Sequence, residues 1–590
     1  MTGFFIDMPG LYGIVSFDKK PDSRLYDSLG KKVSAFDSPV YSYHDDCVQL
    51  GFKTLNIIDM IDQPFFEQRM HLILFFWGEV FSDPFDDQSV SHSLFDFYLH
   101  DRLDRLSEIN GLYSFVLWDE GRKRLVLGSD IYASRPLYYC EYNNQLVFSP
   151  SPLILAQVLG KNRINREVIP QFLSTGLILG DQSFSEDIRK LRHGRYLVYS
   201  EKGIKRTRYF KAEYRPEKMS LNDAATTLAE KTHDAAQRMT EGNISLSLSG
   251  GSDSRLMAIS MIKAGYRPPA FTIGQSNSRD IEIAEDVCKA FNLRHHPLVI
   301  TPDFLPENLQ EAVYNTHGYD SAINFHGISI RHEVKKFADI VVNAMWGNKF
   351  VGHLSTKILP FSKARHDDDF YKCFLDWHQN GFTIDELKNI STVDLPYDSL
   401  ERAVMQIIRE NRQDDYLQTF LTMDHFEVGS QYMMAGLWLE NDLLEFRNIF
   451  LDYELMKFNF SVPAEYKLLM KLGRHIWRFV YPQAGKIRYQ RTNLPLSASL
   501  LRVAFTRFIE SIARIKHPPG IFDYADAFRN PLANWLKDML CSDKTLSREY
   551  LKTEMLDRIV NDHIESKANN TEKIGLLLTF EQTLRILDDD

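Results

Sequence analysis

The chain has 590 residues, 44% hydrophobic and 13% aromatic, too many for one hydrophobic core and apolar enough to bury two or more. Lys and Arg number 69 against 79 Asp and Glu, and the resulting charge of −10 excludes a general nucleic-acid or anionic-membrane binder while leaving room for a local basic patch. Five scattered cysteines without C-x-x-C spacing exclude a disulfide framework, and the absence of a leader-like N-terminus or a run of about 20 apolar residues predicts a cytoplasmic protein with no membrane span.

In chain order, residues 11–209 read as short alternating runs broken by polar turns, among them 12–17, 72–79, 112–118, 124–128, 146–148 and 196–199. Many short strands with few helical periods predict a sheet sandwich over 1–209. Residues 210–220 are charged and contain Pro216, which predicts a linker. A helix is then predicted from Leu221, a strand over 244–248, a helix over 255–263, a strand over 269–274, a helix over 278–291 capped by Ser278, and a strand over 293–300. This alternation predicts a parallel sheet whose ligand lies at the carboxyl edge. The region 360–420 reads as charged helices, and 498–590 as solvated helices with a hinge at Pro518-Pro519-Gly520 and an acidic end.

Between the first strand and its helix stands Ser249-Gly250-Gly251-Ser252-Asp253-Ser254. Two glycines at such a turn let main-chain N–H groups meet an anion, and the helix N-terminus adds its positive end. No Gly-Lys-Ser/Thr closes the loop, so it is not a Walker motif. Asp253 beside phosphates implies Mg²⁺ between them, or else is a helix cap. Ser249 and Ser254 are donors to phosphate, or likewise caps. His317, His326, His353 and the pair His295-His296 form no metal spacing and read as packing or surface residues.

The hexapeptide resembles the pyrophosphate loop of ATP pyrophosphatases. Gly78-Glu79-Val80, 111–119 with its Gly and Asp ends, Asp130-Ile-Tyr-Ala-Ser-Arg135-Pro-Leu-Tyr-Tyr139 and 188–196 resemble, in order, motifs of the glutaminase half of asparagine synthetases. The resemblance implies an N-terminal-nucleophile-like sandwich, then an adenine-nucleotide alpha-hydrolase-like α/β domain over 221–590 that binds ATP and Mg²⁺. It implies that the backbone at Phe271, Thr272 and Ile273 borders adenine and that Glu445, in Glu445-Phe-Arg447-Asn-Ile-Phe-Leu-Asp452, acts as a base, unless it pairs with Arg447. It further places an adenylation-assisting cation at Arg488 or Arg491. In 341–352 Gly347 and Gly352 match the family's acidic metal segment, but Lys349 and Phe350 replace the acids, so Lys349 either neutralises pyrophosphate or marks a lost site.

The family's nucleophile is an N-terminal cysteine. Here Tyr12 stands in the cognate position and no cysteine lies in the first forty residues, and a phenol is a poor substitute for a thiol. Glutamine-derived ammonia is therefore not expected. Relatives lacking the nucleophile include β-lactam synthetases and lasso-peptide cyclases, which close a ring with an internal amine. The favoured expectation is an AMP-forming macrolactam cyclase of lasso-peptide (antibiotic) biosynthesis, acting on a peptide or small molecule that carries both carboxylate and amine, beside a leader peptidase and a precursor-binding protein. A small-molecule cyclase, an ammonia-using amidotransferase and a non-catalytic scaffold are the alternatives.

Overall fold

A computed structural model describes residues 8–33, 40–58, 63–82, 89–352, 356–513, 520–546, 548 and 550–588. Met1-Thr2, His353, Pro518, Pro519 and the last two acids lie outside the described residues.

The first third folds as two antiparallel six-stranded sheets. One runs in the spatial order Arg189–Lys190, Tyr138–Tyr142, Gln145–Ser149, Gly10–Ser16, Val48–Lys53, Val40–His44; the other runs Gly203–Arg208, Arg195–Ser200, Arg124–Ser129, Asn110–Asp119, Leu72–Ser82, Phe65–Glu67. Strand alternation sorts the side chains between layers. Leu11 and Val15 face the second sheet and join Phe75, Trp77 and Trp118 in the core between the sheets, whereas Tyr12 and Ile14 face the helices Ser23–Val33 and Pro152–Leu159. Helix Val90–Leu99 covers the outer face of the second sheet.

The second part is built on five parallel strands in the order His295–Val299, Ala270–Gly274, Ile244–Ser247, Ile340–Asn343, Glu445–Asn448. The chain grows outward from Ile244–Ser247 in one direction, then returns to its other side, so the strand order reverses between 244–247 and 340–343. Ligands of open α/β sheets bind at such a point, beyond the carboxyl ends of the strands. The antiparallel sandwich and the parallel sheet are those the sequence predicts.

Two local readings need correcting. The C-terminal helix Thr571–Asp588 is not solvated: Ile574, Leu577, Leu578, Phe580, Leu584, Ile586 and Leu587 are buried, because its apolar residues surround the helix instead of forming one stripe. The stretch 210–220 has no helix or strand but is fastened down, with Phe210, Ala212 and Tyr214 buried and the Tyr214 hydroxyl donating to the Val462 carbonyl at 2.6 Å. Among the described residues no helix is long and apolar enough to cross a membrane.

Candidate active site

Helix Ser252–Lys263 starts directly after the glycine pair, with Gly251 as N-cap and no side-chain cap. Asp253 is thus a first-turn acid, not the cap residue, and the first-turn N–H groups have no acceptor within the helix. These residues face a cavity of about 360 Å³ at the sheet's switch point. Its walls include Ser249, Gly251, Ser252, Asp253, Ser254, Thr272, Ile273 and Arg491. The loop is held in shape from within. The Ser249 and Ser254 hydroxyls are 2.9 Å apart, the Gly251 N–H donates to Ser249 Oγ at 3.2 Å, and the Trp477 indole donates to Ser252 Oγ at 3.0 Å. Buried Arg255 donates to the carbonyls of Ala484, Ile487 and Arg488 and so ties the loop's helix to segment 484–491.

The sequence-predicted residues divide between the cavity and its surroundings. Gly250 does not line the cavity; its N–H donates to Asp280 Oδ1 at 2.7 Å, so this amide serves the loop and not a phosphate. Phe271 is buried in the core and does not line the cavity, whereas Thr272 and Ile273, nearer the carboxyl end of the strand, are on its wall. Gly347 stands behind Asp253: a Cβ built there would lie 2.5 Å from the Asp253 Cβ, so only glycine allows that approach. The preceding residue, Trp346, is buried at φ +70°, a conformation a bulky side chain keeps only when its surroundings enforce it.

Three predicted catalytic residues lie elsewhere. Lys349 is turned by helix Gly347–Val351 into a second cavity of about 380 Å³, where it is neutralised by the Asp424 carboxylate. Arg488 pairs with Glu282 at 2.8 Å and Asp286 at 2.9 Å on helix Arg279–Phe291; of the two arginines it is Arg491 that reaches the cavity. Glu445 begins strand Glu445–Asn448, so it stands at the amino end of a sheet whose cavity is at the carboxyl end, about 10 Å farther along. It is fully buried against Arg135 of the sandwich at 2.7 Å, while its neighbour Arg447 clamps Glu79. Neither the base role nor the Glu445–Arg447 pair holds.

In their place the cavity contains groups that no spacing announced: Asp320, Asn324, His326, Tyr432 and Glu440. Burial pushes the Asp320 carboxyl up to about 7 against the bonds it accepts from Asn324 and the Ser321 N–H. Burial, aided by the Asp442 carboxylate and opposed by Arg331, pushes Glu440 up to about 8. Burial pulls His326 down to about 4, in keeping with a packing residue, though one that also lines the cavity. The 320/324 pair at i, i+4 is the one trace these groups leave in the sequence.

A nucleotide fits this donor set: the loop's hydroxyls and first-turn amides, the edge at Thr272 and Ile273, and Arg491 all line the one cavity. For Mg²⁺ the fit is narrower. Among the described residues no three His, Cys, Asp or Glu side chains group as a metal site, so Asp253 would hold the ion together with phosphate oxygens, a usual arrangement for Mg²⁺. Segment 341–352 contains no carboxylate and so supplies no acidic ligand for a second ion.

Residues 8–210 match the glutamine amidotransferase domain, and residues 227–335 and 416–585 match asparagine synthase. The chain is 21% identical over 591 residues to glutamine-hydrolyzing asparagine synthetase 1 of Bacillus subtilis, spanning 92% of this chain and 90% of that one. It is 24% identical over 519 residues to asparagine synthetase 3 of the same organism, spanning 78% and 82%. Among solved structures, the NH3-dependent NAD synthetase from Campylobacter jejuni aligns at 14% identity over 36% of this chain and 95% of that one, with a TM-score of 0.18. The class is that of ATP-dependent carbon–nitrogen ligases. Within it, the chain belongs to the asparagine synthetase family.

Proposed function

We propose that the protein is an AMP-forming amide synthetase that joins a carboxylate and an amine carried by one substrate, closing a macrolactam in a peptide of the lasso type, and that it works in the cytoplasm beside a leader peptidase and a precursor-binding protein. The observation that carries this reading is at Tyr12. The position where relatives carry a thiol holds a buried phenol stacked on Tyr26 at 5.4 Å, over Gly51, whose missing side chain makes room for the ring. Residues 10 and 11 continue the strand past it, paired with Lys53 and Phe52, so the backbone nitrogen of residue 12 is an amide and not a free amine. Two adjoining cavities support an extended substrate: Asn324 and Tyr432 line both the first and the second, whose walls also include Lys349, Trp377 and Asp424.

When bound, ATP with Mg²⁺ supplies the activated phosphorus that turns a carboxylate into a mixed anhydride with AMP, releasing pyrophosphate. Ser249, Ser254 and the first-turn amides would hold the phosphates, Asp253 would hold the ion, and Arg491 would stabilise the negative charge that develops on the α-phosphate. Glu440, whose pKa burial raises to about 8, takes the proton from the substrate ammonium in its ionised form, so the rate rises as pH climbs toward 8, and Asp320 in the same cavity is fixed by Asn324. The reaction forms one amide and loses one water from the substrate.

Mass spectrometry of candidate precursor peptides incubated with ATP, without glutamine or ammonia, tests this. Loss of one water with AMP formation supports it. Product that appears only when ammonia is added overturns it in favour of the second reading, an amidotransferase on a free carboxylate, which the glutamine-hydrolyzing relatives favour.

A further inference from the structure

Helix Leu500–Ala513 is built inside out. At 100° per residue, Phe508, Leu501, Ile512, Phe505 and Ile509 fall within one stripe. A stripe of that width belongs against a core. Here it faces solvent: Leu501 is 84% exposed, Ile512 67%, Phe505 66% and Phe508 61%. The positions half-buried against the protein are Val503, Thr506 and Glu510, on the opposite side. Beside this helix, Phe479 is 65% exposed. Its helical segment is joined to the helix's approach by Arg478, which donates to the Ser497 carbonyl at 2.8 Å.

The charge around the stripe is opposite to that of the whole molecule. Arg502 and Arg507 stand on the helix against the single acid Glu510, and in sequence Arg514 and Lys516, outside the described residues, continue the basic run in a chain whose net charge is −10. Lys471, Arg474 and Arg478 accompany Phe479. Two copies meeting stripe to stripe would bring these basic flanks together, whereas an anionic surface answers both features at once.

We propose that this helix is an interfacial anchor: its Phe, Leu and Ile stripe enters the headgroup boundary of an anionic lipid bilayer while the arginines meet lipid phosphates. The inference is independent of the reaction assigned to the cavity. It does bear on where the reaction occurs, because the helix's two approaches carry Gln490 and Arg491 on one side and Ile521 on the other, all in the cavity wall. Docking therefore sets the cavity beside the membrane surface, without a membrane span.

Cosedimentation of the full chain with vesicles tests this, comparing phosphatidylcholine alone with an equimolar mixture of phosphatidylcholine and phosphatidylglycerol. The expected result is at least about tenfold stronger binding to the mixed vesicles, weakened by salt and by Arg502→Ser. The double substitution Phe505→Asp, Ile512→Asp should abolish it with an unchanged melting temperature, since both side chains are already in solvent. Wild-type protein that stays in the supernatant overturns the proposal, as does a double variant that pellets like wild type. A dimer in sedimentation equilibrium that the double variant dissolves would assign the stripe to a second copy and overturn it equally.

Discussion

The strands Gly10–Ser16 and Ile244–Ser247 make an instructive pair. In family relatives the first carries the ammonia-releasing thiol, and the second leads into the phosphate loop. Here the first has been filled: Tyr12 lies over Gly51, Ile14 packs beneath the helices, and Arg135 behind them is locked to Glu445. The second has stayed open. Glycines at 251 and 347 keep backbone close to Ser249 and Asp253 without adding bulk, and a cavity remains in front of them. Glycine serves opposite ends at the two places. At 51 its missing side chain admits a ring that closes a site, and at 251 and 347 it preserves one. One half is packed shut at this strand and pairs with the other through Arg135 and Glu445, while the other keeps an open cavity.

The comparison breaks most sharply at Asp253. Asp253→Asn should lower ATP-dependent pyrophosphate release by about 10²–10³-fold with an unchanged circular dichroism spectrum; wild-type release by this variant would overturn the role given to Asp253 as the holder of the ion. Next comes the brace. Arg135→Met leaves the Glu445 carboxylate buried without its cation and should cost about 3–5 kcal/mol in urea unfolding, the range for a broken buried pair. A loss under about 1 kcal/mol would mean that the two halves are not braced there.

Smaller effects refine the picture. In Gly51→Ala the new methyl would stand 2.3 Å from the Tyr12 ring; overpacking of this kind costs about 1–3 kcal/mol, read as a lower denaturation midpoint with pyrophosphate release retained. Glu440 offers a pH test of the open side. Its folded pKa of about 8 lies above the ordinary glutamate value of 4.5, so the folded state holds the proton more tightly. That stability is fully present below about 4.5 and is lost as pH rises toward 8. Glu440→Gln should flatten the fall in unfolding midpoint between pH 5 and pH 8 and remove the corresponding limb from the rate profile. The smallest effect expected is none: Tyr12→Cys should release no ammonia from glutamine in a coupled assay, because residue 12 lies within a strand and has no free amine.

Segments whose function is local were legible. The strand, double glycine and helix at 244–263 announce themselves by periodicity and by the residues that a tight turn requires, and the Ser278 cap and the alternating runs of the sandwich do the same. Misreadings came where a residue's role depends on a distant neighbour. Glu445 and Arg447 are two apart in sequence, yet each pairs with a residue of the sandwich, Arg135 and Glu79. Lys349 answers to Asp424, and the two arginines of 488–491 part because one meets helix Arg279–Phe291 and the other the cavity.

From its sequence alone this protein had fixed its antiparallel sandwich, its parallel sheet and the loop at 249–254, since each is written in spacing over a few residues, while the tyrosine in place of a thiol at position 12 follows from the family resemblance. The tertiary structure decided which carboxyls share the cavity and which cations are spent on bracing. Asp320, His326, Tyr432, Glu440 and Arg491 reach one cavity from three separate stretches, 320–326, 432–440 and 491. The protonation of Asp320, His326 and Glu440 follows from burial and charge neighbours that exist only once those stretches have packed.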